Sequence, residues 1–71
     1  MSSDEEQQMK KIYEYILLST DSTNKKTGVK ALAGYGKKAI PFIQELRNME
    51  IDEDVKNYMF DTITKIEKGN L

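Results

Sequence analysis

The 71-residue chain is predicted to fold as an all-α domain of four helices, arranged as two antiparallel helical hairpins. Three observations predict this class. Apolar residues recur at spacings of three and four in four segments, the period of a helix that buries one face. Polar or glycine-containing turns separate these segments, and no strand-like alternation occurs. The second half of the chain repeats the plan of the first at a distance of about 30 residues.

The first helix is predicted over residues 4–18, after a flexible tail of residues 1–3. Ser3 and Glu6 have the spacing of a capping box, in which each side chain bonds the backbone N–H of the other residue. Apolar residues at helical spacing form one face of this helix, which we expect to be buried. These residues are Met9, Ile12, Tyr13, Ile16 and Leu17.

The second helix is predicted over residues 22–34, with Asp21 or Ser22 as its N-cap. Gly28 costs a helix about 1 kcal/mol relative to alanine, so its presence indicates close packing of a neighbouring helix. Gly34 and Gly36 end the helix, because glycine readily takes the left-handed conformation that closes one. The expected buried residues are Val29, Leu32, Ala33 and Tyr35.

The third helix is predicted to begin near Lys37, with Pro41 in its first turn, where the missing N–H costs least. The fourth helix is predicted over residues 53–68 with Asp52 as its N-cap. Each helix carries one apolar stripe, flanked by Phe42 in the third and Thr62 in the fourth. The stripe of the third helix is Ile40, Ile43, Leu46 and Met49, and the stripe of the fourth is Val55, Met59, Ile63 and Ile66.

The two halves of the chain align as an internal repeat. A shift of 31 residues places Asp21 on Asp52, and a shift of 30 places Ile16 on Leu46. A repeat of about 30 residues built of two helices is typical of an α-solenoid. The chain therefore divides into a first hairpin over residues 4–35 and a second over residues 36–69, within a single domain.

One ordered set of residues in the range 28–69 carries a family resemblance. An Ala-Leu pair and a glycine turn end one helix, an early proline opens the next, and an Asp-x-x-Val sequence opens the last. This order resembles HEAT-like repeats of the phycobilin-lyase type, which implies a minimal HEAT-like α-solenoid. The first hairpin is degenerate, and Lys56 stands where the family usually has arginine. The residues are Ala31, Leu32, Gly34, Gly36, Pro41, Asp52 and Val55.

Composition excludes several chemistries. The chain has no cysteine and no histidine, so it lacks disulfides, thiolate metal sites and the commonest general base. The histidine–glutamate iron motifs of some HEAT-like enzymes are absent for the same reason. The acidic residues from Glu50 to Asp54 lack the glycine and the spacing of a calcium loop. We therefore expect no cofactor, no metal and no enzymatic activity.

The predicted cellular setting follows from the hydropathy pattern. The N-terminal residues are acidic and polar, the reverse of a signal peptide. No apolar run approaches the roughly 18 residues of a membrane span. We expect a soluble cytoplasmic protein that does not associate with membranes.

Charge is unevenly distributed along the chain, although the net charge is −1. Residues 1–21 hold five acids against two lysines, and residues 45–71 hold seven acids against four basic residues. The middle segment, residues 22–44, carries five lysines and no acid. Because lysines can contact phosphates, weak nucleic-acid binding is the alternative function. These lysines are Lys25, Lys26, Lys30, Lys37 and Lys38.

The favoured function is a non-enzymatic protein-interaction module that self-associates. Two hairpins are fewer repeats than a solenoid usually needs, and apolar residues such as Tyr15, Leu18 and Phe60 lie off the inner stripes. A homodimer is the first expected partnership, and a role as a fragment of a longer scaffold stays open. The candidate interaction surface adds four residues of the fourth helix to the five lysines: Lys56, Asn57, Tyr58 and Phe60.

Overall fold

A computed structural model describes residues 2–69 of the protein, with side chains from residue 4. Over this range the chain forms four α-helices and one short 3-10 segment, without any strand, so the predicted all-α class is confirmed. The helices are α1 (Ser2–Leu18), α2 (Ser22–Ala33), α3 (Ile40–Met49) and α4 (Glu53–Lys68), and the 3-10 segment is Gly36–Ala39.

The four helices pack in two layers. Turns of three residues join α1 to α2 and α3 to α4, and each of these pairs is in contact. Across the hairpins, α1 packs on α3 and α2 packs on α4. The smallest dimension of the Cα trace is 18 Å, as expected for two helix layers.

One hydrophobic core joins both hairpins. The predicted inner stripes of α2 and α4 are buried as expected, while Tyr35, Phe42 and Ile40 are half-buried at the margin. Ala39, in the 3-10 segment, is a core residue that the helical pattern did not predict. The core residues are Met9, Ile16, Val29, Leu32, Ala33, Ala39, Ile43, Leu46, Val55, Met59, Ile63 and Ile66.

Equivalent aspartates start the second helix of each hairpin. The carboxylate of Asp21 accepts a hydrogen bond from the backbone N–H of Asn24 at 3.0 Å. That of Asp52 accepts from the N–H groups of Asp54 at 2.9 Å and Val55 at 3.3 Å. Both predicted caps therefore form, 31 residues apart, and they make each residue of α2 equivalent in sequence position to the residue 31 places later in α4.

Gly28 lies where α2 approaches α1. A Cβ atom at this position would lie 2.4 Å from Cγ1 and 2.9 Å from Cδ1 of Ile16. Such distances are shorter than van der Waals contact, so a hydrogen atom is the only side chain that fits. The predicted close packing at this glycine is confirmed.

The beginning of α1 differs from the prediction. The helix starts at Ser2, so Ser2 and Ser3 are helical rather than part of a tail, and Ser3 does not occupy the N-cap position of a capping box. Asp4 and Glu5 then lie in the first turn, where acidic residues interact favourably with the helix dipole. The prediction for Met1 lies outside the described residues.

The joint between the hairpins also differs in detail. Of the two glycines in the joint, Gly36 takes the left-handed conformation, with φ 75°, while Gly34 keeps φ −61°. Residues 36–39 form a 3-10 segment, and α3 begins at Ile40 rather than near Lys37. The reason is Pro41, whose ring would clash with the carbonyl of Lys37 if the α-helix extended back to that residue.

Candidate protein-interaction surfaces

Three of the five central lysines form ion pairs with acids from the flanking segments. Lys25 Nζ lies 3.0 Å from Glu50 Oε2, and Lys38 Nζ lies 2.7 Å from Glu5 Oε1. Lys26 pairs with Asp54, and its Nζ lies 5.9 Å from the centroid of the Tyr58 ring. The basic middle of the sequence is therefore largely neutralised within one molecule.

The Lys25–Glu50 pair is the most enclosed of these contacts. The side chains of Lys25 and Glu50 are 16% and 6% exposed, respectively. Glu50 Oε2 also accepts a hydrogen bond from the backbone N–H of Asp52 at 3.1 Å. This pair ties α2 to the turn before α4, so it stabilises the docking of the two hairpins.

Ion pairing shifts the pKa values of two surface groups. The hydrogen bond from Lys38 holds the pKa of Glu5 below its ordinary range, and that from Lys26 to Asp54 raises the pKa of Lys26. A third shift belongs to Tyr13, whose pKa is raised by desolvation and then by the nearby Glu45 carboxylate. Each of these three pairs joins the two halves of the chain.

The remaining predicted cations do not form one surface. Lys30 and Lys37 have no acidic partner within 4.0 Å among the described side chains. Lys30 lines a groove between α2 and α4, whereas Lys37 lies in a depression beside Gly36 and Gly69. Lys56 pairs with Glu53 on its own helix at 3.5 Å.

Tyr58 and Phe60 lie on different sides of α4. Tyr58 faces α2 through its contact with Lys26, whereas Phe60 faces the end of α3, where the Arg47 guanidinium carbon lies 5.2 Å from its ring centroid. Residues two apart on a helix are separated by about 200° around its axis, which explains the split. Asn57 is exposed between them.

Three surfaces on the outside of the fold expose large apolar side chains. The first, here called the near edge, is a groove of about 300 Å³ on the first hairpin. Its floor is Gly28 and Ile12, and Tyr15 beside them is half exposed. The groove is lined by Lys11, Ile12, Tyr15, Thr27, Gly28 and Ala31.

The second surface, here called the far edge, lies on the second hairpin and consists of Arg47, Lys56, Phe60 and Thr64. Its centre is Phe60, which is 53% exposed although Arg47 lies over its ring. Lys56, Phe60 and Thr64 are four residues apart, so they share one stripe of α4.

The third surface, here called the end patch, consists of Leu17, Leu18, Met49 and Ile51. Leu18 is 84% exposed and Ile51 91% exposed. Three of these residues line a depression of about 220 Å³ above the Lys25–Glu50 pair. Leu17 and Met49 were predicted to be buried, and this was wrong because they lie at the last turns of α1 and α3, beyond the core.

Most residues of these surfaces were not among the predicted site residues. Only Lys56 and Phe60 belong to both sets. Small residues such as Thr27 and Ala31 carry no functional signal in a sequence, because a groove depends on the helices around it. Leu18 and Ile51 did carry a signal, as apolar residues next to polar turns.

Comparisons with family models, curated proteins and solved structures found no match. The resemblance to HEAT-like repeats therefore stays a prediction. Among the described residues, no group of three or more acidic side chains is arranged to hold a metal ion. Over the same range, no helix combines the length and apolar composition that crossing a membrane requires.

Proposed function

We propose that this protein is a small non-enzymatic interaction module, HEAT-like in design, that associates with further copies of itself. Its two hairpins form a rigid scaffold, and its function lies in the surfaces that the scaffold presents. The proposal needs no cofactor and no reacting group.

The observation that supports the proposal is the amount of large apolar surface outside the core. Six large apolar side chains of the described residues are more than two-fifths exposed in a domain of only 71 residues. Four of them form the end patch, while Tyr15 and Phe60 are each the one exposed large apolar residue of the near edge and of the far edge. Grouped exposed apolar residues are typical of surfaces that associate with proteins. These residues are Tyr15, Leu17, Leu18, Met49, Ile51 and Phe60.

Nucleic-acid binding receives less support. Phosphate contacts need cations that are free of protein carboxylates. Lys25, Lys26 and Lys38 are paired within the molecule, and Lys30 and Lys37 line separate depressions. Lys25, Lys30 and Lys37 each line a different depression.

Sedimentation velocity over a wide concentration range tests the proposal. We expect the weight-average sedimentation coefficient to rise with concentration, and to do so at high salt as well, because apolar contacts are not screened. A strict monomer at every concentration up to the millimolar range would contradict self-association. A companion titration with labelled duplex and single-stranded oligonucleotides at low salt should show no binding.

A further inference from the structure

We infer that copies of this protein stack head to tail, with the far edge of one copy docked on the near edge of the next. The inference rests on the self-association proposed above and specifies its partner and geometry. In such a stack the array of hairpins inside one chain continues across the junction between chains.

The equivalent N-caps of α2 and α4 allow the residues of the two helices to be compared position by position. Asp21 and Asp52 cap α2 and α4 through the N–H three residues later, at Asn24 and Val55. A residue of α2 therefore occupies the same place in its hairpin as the residue 31 positions later in α4. Lys25 and Lys56 are one such pair.

The far edge exposes a position that the first hairpin buries. Val29 of α2 is 0% exposed in the core that joins the hairpins. Its equivalent in α4 is Phe60, which is 53% exposed. The larger side chain thus projects at the place where a following hairpin would cover it.

At the near edge, the residues of α2 are smaller than the equivalent residues of α4. In α4, Met59 and Thr62 are buried and Tyr58 lies beneath Lys26 of α2, so this side of α4 faces the preceding hairpin. The equivalent residues of α2 are Thr27, Gly28 and Ala31, and all three are smaller. They line the near-edge groove of about 300 Å³.

The Phe60 side chain of one copy and the near-edge groove of another copy are therefore complementary in size. A far edge placed on a near edge brings Phe60 towards the Gly28 groove, so the larger residue on one side meets the smaller residues on the other. Two far edges face to face would oppose two Phe60 rings and two Arg47 guanidinium groups. Two near edges would leave both grooves unfilled. The head-to-tail pairing is the one that fills the groove.

A head-to-tail interface uses two different surfaces, so it leaves a free edge at each end of the assembly. Such interfaces generate open chains of copies unless the rotation between copies closes a ring. Polar capping residues normally prevent this in repeat proteins. Polar residues do not fully cover either edge, because Tyr15 and Phe60 are both about half exposed.

The inference is tested with two charge variants, Phe60→Glu and Ala31→Glu, which block the far edge and the near edge respectively. Both positions are exposed, so neither change places a charge in the core. Leu18→Glu in the end patch is the matched control with the same change in charge. Phe60→Ala is a milder far-edge variant, for which we expect an association constant reduced by about tenfold or more. Circular dichroism confirms the helix content of each variant.

Sedimentation velocity then measures the oligomeric state of each variant. We expect the wild type and Leu18→Glu to form a concentration-dependent series of oligomers, and each edge variant alone to be monomeric. An equimolar mixture of the two edge variants should form a dimer and nothing larger, because one intact near edge and one intact far edge remain.

Three results would overturn the inference. If the mixture stays monomeric, the pairing is not far edge to near edge. If Leu18→Glu abolishes association and the edge variants do not, the end patch holds the copies together, and only the geometry is wrong. If the wild type itself never associates, the proposed function fails together with the inference.

Discussion

Replacing Gly28 with alanine tests the packing of α1 on α2 most sharply. The new Cβ would lie 2.4 Å from Cγ1 and 2.9 Å from Cδ1 of Ile16, a core side chain that is 2% exposed. Cγ1 is bonded directly to the Cβ of Ile16, so it can move away only if the Ile16 side chain changes its χ1 rotamer or the two helices move apart.

Two opposing effects set the magnitude. Alanine improves helix propensity by about 1 kcal/mol relative to glycine. Overpacking a well-filled core costs about 1–3 kcal/mol, and two contacts below 3.0 Å place this site in the upper part of that range. We therefore expect a net loss of about 1–2 kcal/mol in the free energy of unfolding. For a domain of this size the melting temperature should fall by roughly 5–15 °C.

Urea unfolding at low protein concentration measures the effect without a contribution from association. Gly34→Ala is the matched control, because Gly34 is exposed, has φ −61°, and an added Cβ would come no closer than 3.3 Å, to Ala31 O. We expect its free energy of unfolding to stay within about 0.5 kcal/mol of the wild type. If Gly28→Ala is as stable as the wild type, α1 does not pack on α2 as described.

Three further changes test the caps and the ion pairs. Asp52→Ala should destabilise the fold by about 1–2 kcal/mol in urea unfolding, because two backbone N–H groups at the start of α4 lose their acceptor; an unchanged midpoint would contradict the cap. Lys25→Met should lower the free energy of unfolding by about 1–3 kcal/mol, because it leaves the Glu50 carboxylate without its lysine partner at 6% exposure. Adding Glu50→Gln should recover part of this stability. Carboxyl NMR titration should show the pKa of Glu5 below its ordinary value and moving upward in Lys38→Met. Because the folded-state pKa is lowered, this pair stabilises the fold above the unfolded-state pKa and loses its effect as the pH falls through the folded-state value. Wild type should therefore be more stable than Lys38→Met at neutral pH and equally stable in acid, and equal stability of the two at neutral pH would contradict the pair.

The local structure could be predicted from the sequence because its causes are local. Asp52 caps α4 and Gly36 closes the joint through bonds and backbone angles within a few residues. The stripe of Val55, Met59 and Ile63 is buried because its period matches the helix. Where the helix ends, periodicity alone fails, as Met49 shows by lying beyond the core.

The state of the lysines could not be predicted, because it depends on how the hairpins dock. Lys25 and Glu50 are 25 residues apart in sequence, and Lys38 and Glu5 are 33 apart. Only the tertiary packing brings these charges together. The same packing creates the near-edge groove, whose residues are inconspicuous in the sequence.

The measurement that tests the central claim most directly is a dilution series of backbone amide NMR spectra at residue resolution. Head-to-tail stacking predicts concentration-dependent shifts at Tyr15 and Ala31 on the near edge and at Phe60 on the far edge. Leu18 and Ile51 in the end patch should then keep constant shifts. Shifts confined to the end patch, or to only one of the two edges, would contradict head-to-tail stacking.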